Sequence, residues 1–517
     1  MGHSERKVDM EDLIEIVRLI QKVGLKQPDS FMKLHESSMM KAFYDGLANG
    51  EIHNDDEAAL KLYNAAPNDE RYRKLKLRLR EILYDAAVFI NYGPPQFSIL
   101  RKKMYECNCE LIAMKQCIEN GAQEAGFKIA KRLLSKARKY HLTIIEIECL
   151  YAILNHVVFS TGKENDYLVV SKELRAAQRK MCAETESEII FGSVSVKYAV
   201  VSSDHPENID FITNCITELE QLLAQHDTFK IRYSYFLLRS WLGHIKRDID
   251  ESITACEDAI AYWKLNPDIA GNLTAVFTLE ILTCHFHKRN YEYVLTLAGE
   301  CEKFFDNTSS NWLIMKGYQL QALLSVGRTA EALKLFSGVS KSLKRSSGGS
   351  AKFIERWLIL EGYLFFFIHT NDQPNDVEKY QTSHLEKYLR KLVSSDFISA
   401  QVDKEGANVG LMILHVLLLL CMKCNPTDIL EKVNALDKYR RRHLDPTKNT
   451  RTDTFITLLK HFTYSLADKQ RLQLSNSPHF SNLSPSIPTS TNYAEDYEII
   501  PFDIIWQRLK MVYGVGL

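Results

Sequence analysis

Hydrophobic positions along this chain recur with the 3.6-residue period of an α-helix. Near the start, Leu13, Val17 and Ile20 share one helical face, which predicts a helix over residues 9–23. The same spacing predicts a second helix over residues 31–48. Each of these segments is followed closely by a glycine, a residue that commonly ends a helix.

The segment at residues 71–90 admits two interpretations. It opens with basic and apolar residues in alternation, which would suit a strand. Leu75, Leu79 and Ile82 nevertheless keep helical spacing, and most of the residues are strong helix formers. Because the run also exceeds the usual length of a strand, a helix is predicted here.

The hydrophobic pattern changes at three places and divides the chain into four segments. Between residues 96 and 470 helical stretches alternate with short polar turns, and no alternation of helices with β-branched strands is visible. A later stretch is rich in Ser, Thr, Asn and Pro, and it cannot bury enough apolar surface to offset the entropy of ordering. The predicted segments are an N-terminal helical module (1–95), a helical repeat array (96–470), a disordered linker (471–492) and a C-terminal docking segment (493–517).

The C-terminal docking segment carries a short and very apolar helical pattern. Ile504, Ile505, Trp506 and Leu509 would form an exposed hydrophobic patch if the segment stood alone. We therefore expect it to cover an apolar groove of the array or to reach into a second copy of the chain.

Three segments in the middle of the chain repeat one arrangement of small and apolar residues on the second helix of a helical hairpin. Within each set the spacings are four and then three residues, and corresponding positions lie 42 and 38 residues apart. The sets are Ser252, Cys256 and Ala259; Val294, Ala298 and Cys301; and Ala332, Phe336 and Val339. Such residues let two helices approach closely, so that neighbouring hairpins stack.

The third of these segments resembles the tetratricopeptide repeat. Gly327 stands where that family turns between its two helices, and Ala332 and Phe336 follow five and nine positions later, as they do in the family. The resemblance is strongest over residues 230–345, and the whole chain is similar to uncharacterised bacterial helical-repeat proteins. It implies a right-handed α-solenoid of helix-turn-helix repeats that binds other proteins. The steps of 42 and 38 residues exceed the ~34 of the standard repeat, so these units are elongated.

Composition favours a soluble cytoplasmic protein. Lys plus Arg and Asp plus Glu each number 65, so the chain has no basic excess for wholesale binding of nucleic acid or of a membrane surface. The eleven cysteines lie mostly in apolar helical patterns, as reduced thiols do. The N-terminus lacks the apolar core of a secretory signal. The longest apolar run, residues 411–424, is shorter than the ~20 residues of a membrane span, so a buried helix is predicted there.

Motifs of known catalytic centres are missing from the sequence. It contains no phosphate-binding loop, no dinucleotide-binding glycine pattern, and no HExxH or GxSxG signature. Cys421 and Cys424 form a CxxC, but the further ligands that zinc requires are lacking. His285 and His287 are two positions apart, which places them on different helical faces. We therefore predict neither an enzyme nor a bound cofactor or metal ion.

Two runs of basic residues are the remaining candidates for a binding site. One lies within residues 71–80, and the denser one comprises Lys438, Arg440, Arg441 and Arg442. Such clusters contact phosphates or an acidic partner, or they form a solvated face balanced by nearby acids. The leading prediction is an interaction scaffold for a protein or peptide. A nucleic-acid- or ligand-responsive regulator that uses these residues is the alternative, and an enzyme with an unrecognised site is the lesser one.

Overall fold

The computed structural model describes residues 10–25, 37–90, 99–200, 206–265, 267–307, 309–343, 351–370, 407–444, 450–467, 483 and 498–513. Twenty α-helices and one π-helical turn make up most of these ranges. Within them the only β-type pairing is an isolated bridge between Leu25 and Ile90. The all-α fold predicted from hydrophobic periodicity is confirmed.

The chain divides into two compact units, Met1–Cys109 and Glu110–Leu517. The first contains α1 (Glu11–Val23), α2 (Ser38–Ala48), α3 (Asp55–Tyr63) and α4 (Glu70–Ala87), and α5 (Ile99–Glu119) runs through the boundary between the units. The predicted boundary at residue 95 lies outside the described residues. The segment that alternates basic and apolar residues is a helix, α4.

Helix α4 lies with its apolar face in the core of the first unit. Leu79 is fully buried there beside Phe43 of α2 and Leu13 of α1. Two of its basic residues pair with acids of other helices, and Arg80 contacts Asp12 at 2.8 Å. Two more pair with acids at the start of α4 itself, so four of the six residues in the first basic run form ion pairs within the unit.

The second unit holds the later helices. They are, in chain order, α6 (Gln123–Lys139), α7 (Thr143–His156), a π-helical turn (Val157–Thr161), α8 (Glu164–Val200), α9 (Pro206–Gln225), α10 (Phe229–Lys246), α11 (Ile249–Lys264), α12 (Pro267–His287), α13 (Tyr291–Cys301), α14 (Ser310–Ser325), α15 (Thr329–Leu343), α16 (Ala351–His369), α17 (Ala407–Cys421), α18 (Pro426–His443), α19 (Thr450–Ala467) and α20 (Phe502–Val512). Each described helix from α6 to α18 packs against the next described helix along the chain. Helices α12, α14 and α16 also contact one another in that order, so the packing is sequential with a second layer of alternate neighbours.

Three hairpin turns in this unit share one backbone geometry. Arg247, Arg289 and Gly327 adopt positive φ angles of 62°, 61° and 79°. The amide of the residue after each one donates to the carbonyl oxygen five positions earlier in the chain, at 2.8–2.9 Å. This pairing satisfies carbonyl groups that a helix leaves free at its end. The same turn occurs at Gly121, His141 and Lys423.

The nine repeat positions are buried where these hairpins pack. Each of them exposes 5% of its surface or less. Ser252 shows the closest approach, because a Cβ placed on Gly243 would lie only 2.4 Å from its Oγ. The hydroxyl also donates to the backbone carbonyl of Ser240 at 2.9 Å. Small residues therefore set the distance between α10 and α11, as their spacing predicted.

Helices α14 and α16 are apolar on nearly every side. In α16, residues 357–360 and 362–368 are all buried, including the consecutive Phe365, Phe366 and Phe367. Consecutive residues point in different directions around a helix, so neighbours along the chain alone cannot cover such a surface. Helix α20 reaches this layer where the Arg508 guanidinium lies 5.6 Å from the centre of the Phe367 ring, and its buried face belongs to the same core.

One stretch of the described chain, Thr143–Ser160, would suffice by length and composition to cross a membrane, and 33% of it is buried. Core helices pass the same criterion. This stretch contains α7, whose Glu146 is buried and accepts a hydrogen bond from Arg138 at 2.9 Å. The predicted apolar run at residues 411–424 is mostly α17, which lies in the core of the second unit.

Replacing Gly327 by Ala is expected to destabilise the second unit by about 1 kcal/mol, because a side chain disfavours positive φ. A Cβ there would also lie 3.0 Å from the Arg508 guanidinium. Gly338→Ala is the matched control, since Gly338 lies on an exposed helical face with nothing near its Cβ position. That change should be neutral or stabilising. Urea denaturation midpoints measure both, and equal shifts for the two variants would contradict the turn assignment.

Candidate functional site: the groove that holds the C-terminal helix

Local interactions start the C-terminal helix α20. Pro501 precedes its first residue and has a φ of −52° that suits the entry to a helix. The amide of Phe502 donates to the Glu498 carboxylate at 2.8 Å, which satisfies one of the N–H groups left free at a helix start. Asp503 lies in the first turn, where the helix dipole favours a negative charge.

One face of α20 is almost completely buried. Phe502, Ile505, Trp506 and Leu509 each expose 1% of their surface or less. Ile504 is half-buried and packs against the edge of the same core. The structure therefore places three of the four residues expected to dock inside the core of the second unit, and the fourth at its edge.

Aromatic rings of α19 form the floor beneath this face. Phe455 stacks on Phe502 with ring centres 4.2 Å apart and planes at 9°. Phe462 meets Trp506 edge-on at 5.5 Å and Tyr513 at 5.2 Å. Residue numbers rise together along the two helices, so α19 and α20 run parallel. Pairs of this kind contribute about 0.5–1.5 kcal/mol each beyond the burial of their area.

Four charged side chains fix the start of α20 in place. Arg451 donates two hydrogen bonds to Glu498, at 2.6 and 2.7 Å, and a third to Asp503 at 3.2 Å. Arg289 makes a bidentate pair with Asp503 at 2.9 and 3.0 Å, although the two residues are 214 positions apart. Burial lowers the pKa of Arg451, but the hydrogen bonds to the two carboxylates outweigh this and raise it. Two cations and two anions balance, so the cluster is neutral as a whole.

The outer side of α20 reaches two further elements. The Arg508 guanidinium lies over the ring of Phe367 on α16, 5.6 Å from its centre, and beside Gly327. The Tyr513 hydroxyl donates to the carbonyl of Leu420 on α17 at 2.7 Å. We call the surface that receives this helix the C-terminal groove; it comprises Arg289, Phe367, Leu420, Arg451, Phe455 and Phe462.

The denser basic run lies at the end of α18. Two of its four residues form ion pairs within the chain. Arg440 pairs with Asp437 at 2.8 Å and with a carboxylate of α19 at 2.5 Å, and Arg441 pairs with Asp437 at 3.0 Å. Burial raises the pKa of Asp437, but hydrogen bonds from a lysine of α19 and from Arg440 bring it below its ordinary value. Lys438 and Arg442 are exposed and form no ion pair within the described residues.

A second surface, unlike the C-terminal groove, is open. A cleft of about 520 Å³ lies between α5 and α7. Its rim carries Tyr151 and Phe159, which expose 57% and 85% of their surface. Lys115 and Glu148 join the two helices by an ion pair at 2.9 Å. Phe159 lies in the π-helical turn, a distortion that often marks functional sites. We call this surface the α5–α7 cleft.

Buried histidines and cysteines gather between α10 and α12 without forming a metal site. Among the described residues no three His, Cys, Asp or Glu side chains are placed to share an ion. His244 lies 3.6 Å from Cys284, and burial lowers the pKa of His244 to about 4. His287 is buried beside it, whereas His285 is partly exposed, so the two histidines do lie on different faces. In the CxxC, Cys421 ends α17 and Cys424 lies beyond it, so the two are not on one helix.

In comparisons with known proteins, no family model, curated protein or solved structure matches the chain. The residues that sequence reasoning missed are Arg289, Arg451 and Glu498 in the C-terminal groove, and Tyr151 and Phe159 at the α5–α7 cleft.

Replacing Arg451 by Met is expected to destabilise the second unit by about 3–5 kcal/mol, because Glu498 would lose its cationic partner while buried. Arg328→Met is the matched control. Arg328 pairs with Glu331 on the exposed surface, where ion pairs contribute little. Urea denaturation followed by circular dichroism compares the two variants. A midpoint for Arg451→Met equal to that of the control would contradict a structural role for the cluster.

Replacing His287 by Phe is expected to make the second unit less sensitive to acid. Neither ring nitrogen has a hydrogen-bond partner, and burial, followed by nearby His244 and Arg356, lowers the pKa to about 3. Between pH 6.5 and 3 the unfolded chain binds a proton that the folded chain excludes, so stability falls as the pH falls through this window. At pH 5 the loss is about 2 kcal/mol, and the Phe variant lacks it. Urea midpoints at pH 8 and pH 5 measure the difference; an identical pH dependence for both proteins would show that His287 is not buried and neutral.

Proposed function

We propose that this chain is an interaction scaffold, which holds a protein or peptide on a surface of packed helical hairpins. The observation that carries the proposal is the C-terminal groove. There an amphipathic helix lies with four apolar anchors inward and is fixed at one end by two arginines. Helices bind to grooves in partner proteins in this same manner. The second unit thus binds its own C-terminal helix in the way that it would bind a helix of a partner protein.

The proposed architecture is a right-handed α-solenoid of the tetratricopeptide-like kind. The recurrence of one turn geometry from Gly121 to Lys423 supports it, as does the contact of each helix with the next one and of α12, α14 and α16 with one another. Stacked hairpins expose extended surfaces, which repeat proteins use for binding.

The α5–α7 cleft is the surface that we assign to an external partner, because the C-terminal groove is filled by α20. Tyr151 and Phe159 are of the residue class that dominates binding energy at protein interfaces, where large rings insert into the partner. A scaffold with a protein partner explains their exposure better than a nucleic-acid regulator does, since only Lys438 and Arg442 of the basic run are free of ion pairs within the described residues. A cytoplasmic location accompanies this proposal, and the free state of all eleven cysteines supports it.

Serine substitution of both Tyr151 and Phe159 is expected to weaken binding of the chain's partner strongly. The experiment is affinity capture from the native cells, followed by a binding titration with the purified partner. We expect affinity to fall at least tenfold, because hot-spot side chains contribute about 2 kcal/mol or more each.

Leu265→Ser is the control for this experiment, because Leu265 is another exposed apolar side chain, at the end of α11. This variant should bind as the wild type does. Equal affinity of all three proteins would remove the α5–α7 cleft as the binding surface. Absence of any saturable protein partner would overturn the scaffold proposal itself.

A further inference from the structure

We propose that the C-terminal groove accepts the C-terminal helix of a second copy of this chain, so that two copies exchange their tails. This inference rests on the helix-in-groove binding proposed above and names one partner for it. It concerns residues different from those of the α5–α7 cleft, so the two ideas can fail separately.

The described hydrogen bonds and ring contacts between α20 and the groove are non-covalent and join residues distant in sequence. The shortest separation among the hydrogen bonds between this segment and the groove is 47 positions, between Arg451 and Glu498, and the longest is 214, between Arg289 and Asp503. The groove therefore recognises side chains of α20 and not its connection to the rest of the chain. A tail from another copy presents identical side chains and would form the same contacts.

The length of chain before α20 permits this exchange. Helix α19 ends at Ala467, and because α20 runs parallel to it, the chain has to return by roughly the length of α19, ~27 Å, before residue 498. Thirty residues lie between Ala467 and Glu498. Leu483, near their middle, is buried in the core of the second unit, so the described residues that exchange are 498–513. The fourteen residues between Leu483 and Glu498 span up to ~50 Å when extended, enough to reach a groove on a neighbouring copy.

The groove also specifies what it accepts. Arg289 and Arg451 require carboxylates at positions equivalent to 498 and 503, since two buried guanidinium groups without counter-charges would be strongly unfavourable. Phe455 and Phe462 require large rings four positions apart, as Phe502 and Trp506 are. The second copy meets both requirements by identity, and exchange of an identical element is a low-cost route to a symmetric dimer.

A pair of full-length variants tests the exchange. Arg451→Glu spoils the groove and leaves the tail intact, whereas Asp503→Arg spoils the tail and leaves the groove intact. Neither variant docks its own tail well, but in the mixture a native groove can receive a native tail. The other site then holds both substituted side chains and stays weak, because Glu498 and Arg289 meet like charges there. We expect a 1:1 complex of twice the monomer mass by light scattering in the mixture. If light scattering of the mixture shows only the species that each variant forms alone, the proposed exchange of tails is wrong.

Wild-type protein supplies a second measurement that does not depend on the folding of a variant. Two copies with different affinity tags are incubated together at high concentration, with a synthetic peptide of residues 496–513 as competitor. Co-capture of the two tags should occur, and an excess of the peptide should reduce it at least tenfold. The same peptide with Asp503→Arg should leave it unchanged. No co-capture, or co-capture that the native peptide does not reduce, would show that α20 stays in its own groove.

Discussion

The docking of α20 joins the end of the described chain to helices of the second unit that are distant from it in sequence. Helices α14 and α16 bury residues on nearly every side, and sequential packing covers only the sides that face their neighbours. Residues 498–513 join the same core through Phe502, Trp506 and Leu509, and the Arg508 guanidinium reaches α16 over the ring of Phe367. A segment from the end of the chain thereby completes a core that segments from its middle begin.

The charged cluster determines the position of α20. Apolar contacts are non-directional and would tolerate a shifted helix, whereas bidentate pairs between arginine and carboxylate have a defined geometry. Burying Arg451, Glu498, Asp503 and Arg289 costs solvation free energy, and the attraction within the cluster offsets much of this cost. We infer that the cluster contributes chiefly to the position of α20, while the rings beneath it contribute chiefly to affinity.

Sequence periodicity was sufficient for the helices and for the apolar character of the tail, because both are local properties. It did not reveal the groove, since Arg289 and Asp503 meet across 214 positions and no local pattern links them. A glycine holds the repeated turn only at Gly121 and Gly327. At Arg247, Arg289 and Lys423 the same left-handed conformation is held by a residue that gives no signal in the sequence. The basic run was overestimated as a binding site for a related reason. The sequence shows the charge of Arg440 but not which carboxylates neutralise it in the fold.

Hydrogen–deuterium exchange followed by mass spectrometry tests the central claim most directly. If α20 completes the core, amides of residues 502–512 will exchange as slowly as those of α14 and α16, because their opening requires the same cooperative unfolding. This result is expected whether the helix lies in its own groove or in that of a second copy. Exchange of residues 502–512 at the rate of an unstructured peptide, with α14 and α16 still protected, would contradict the account.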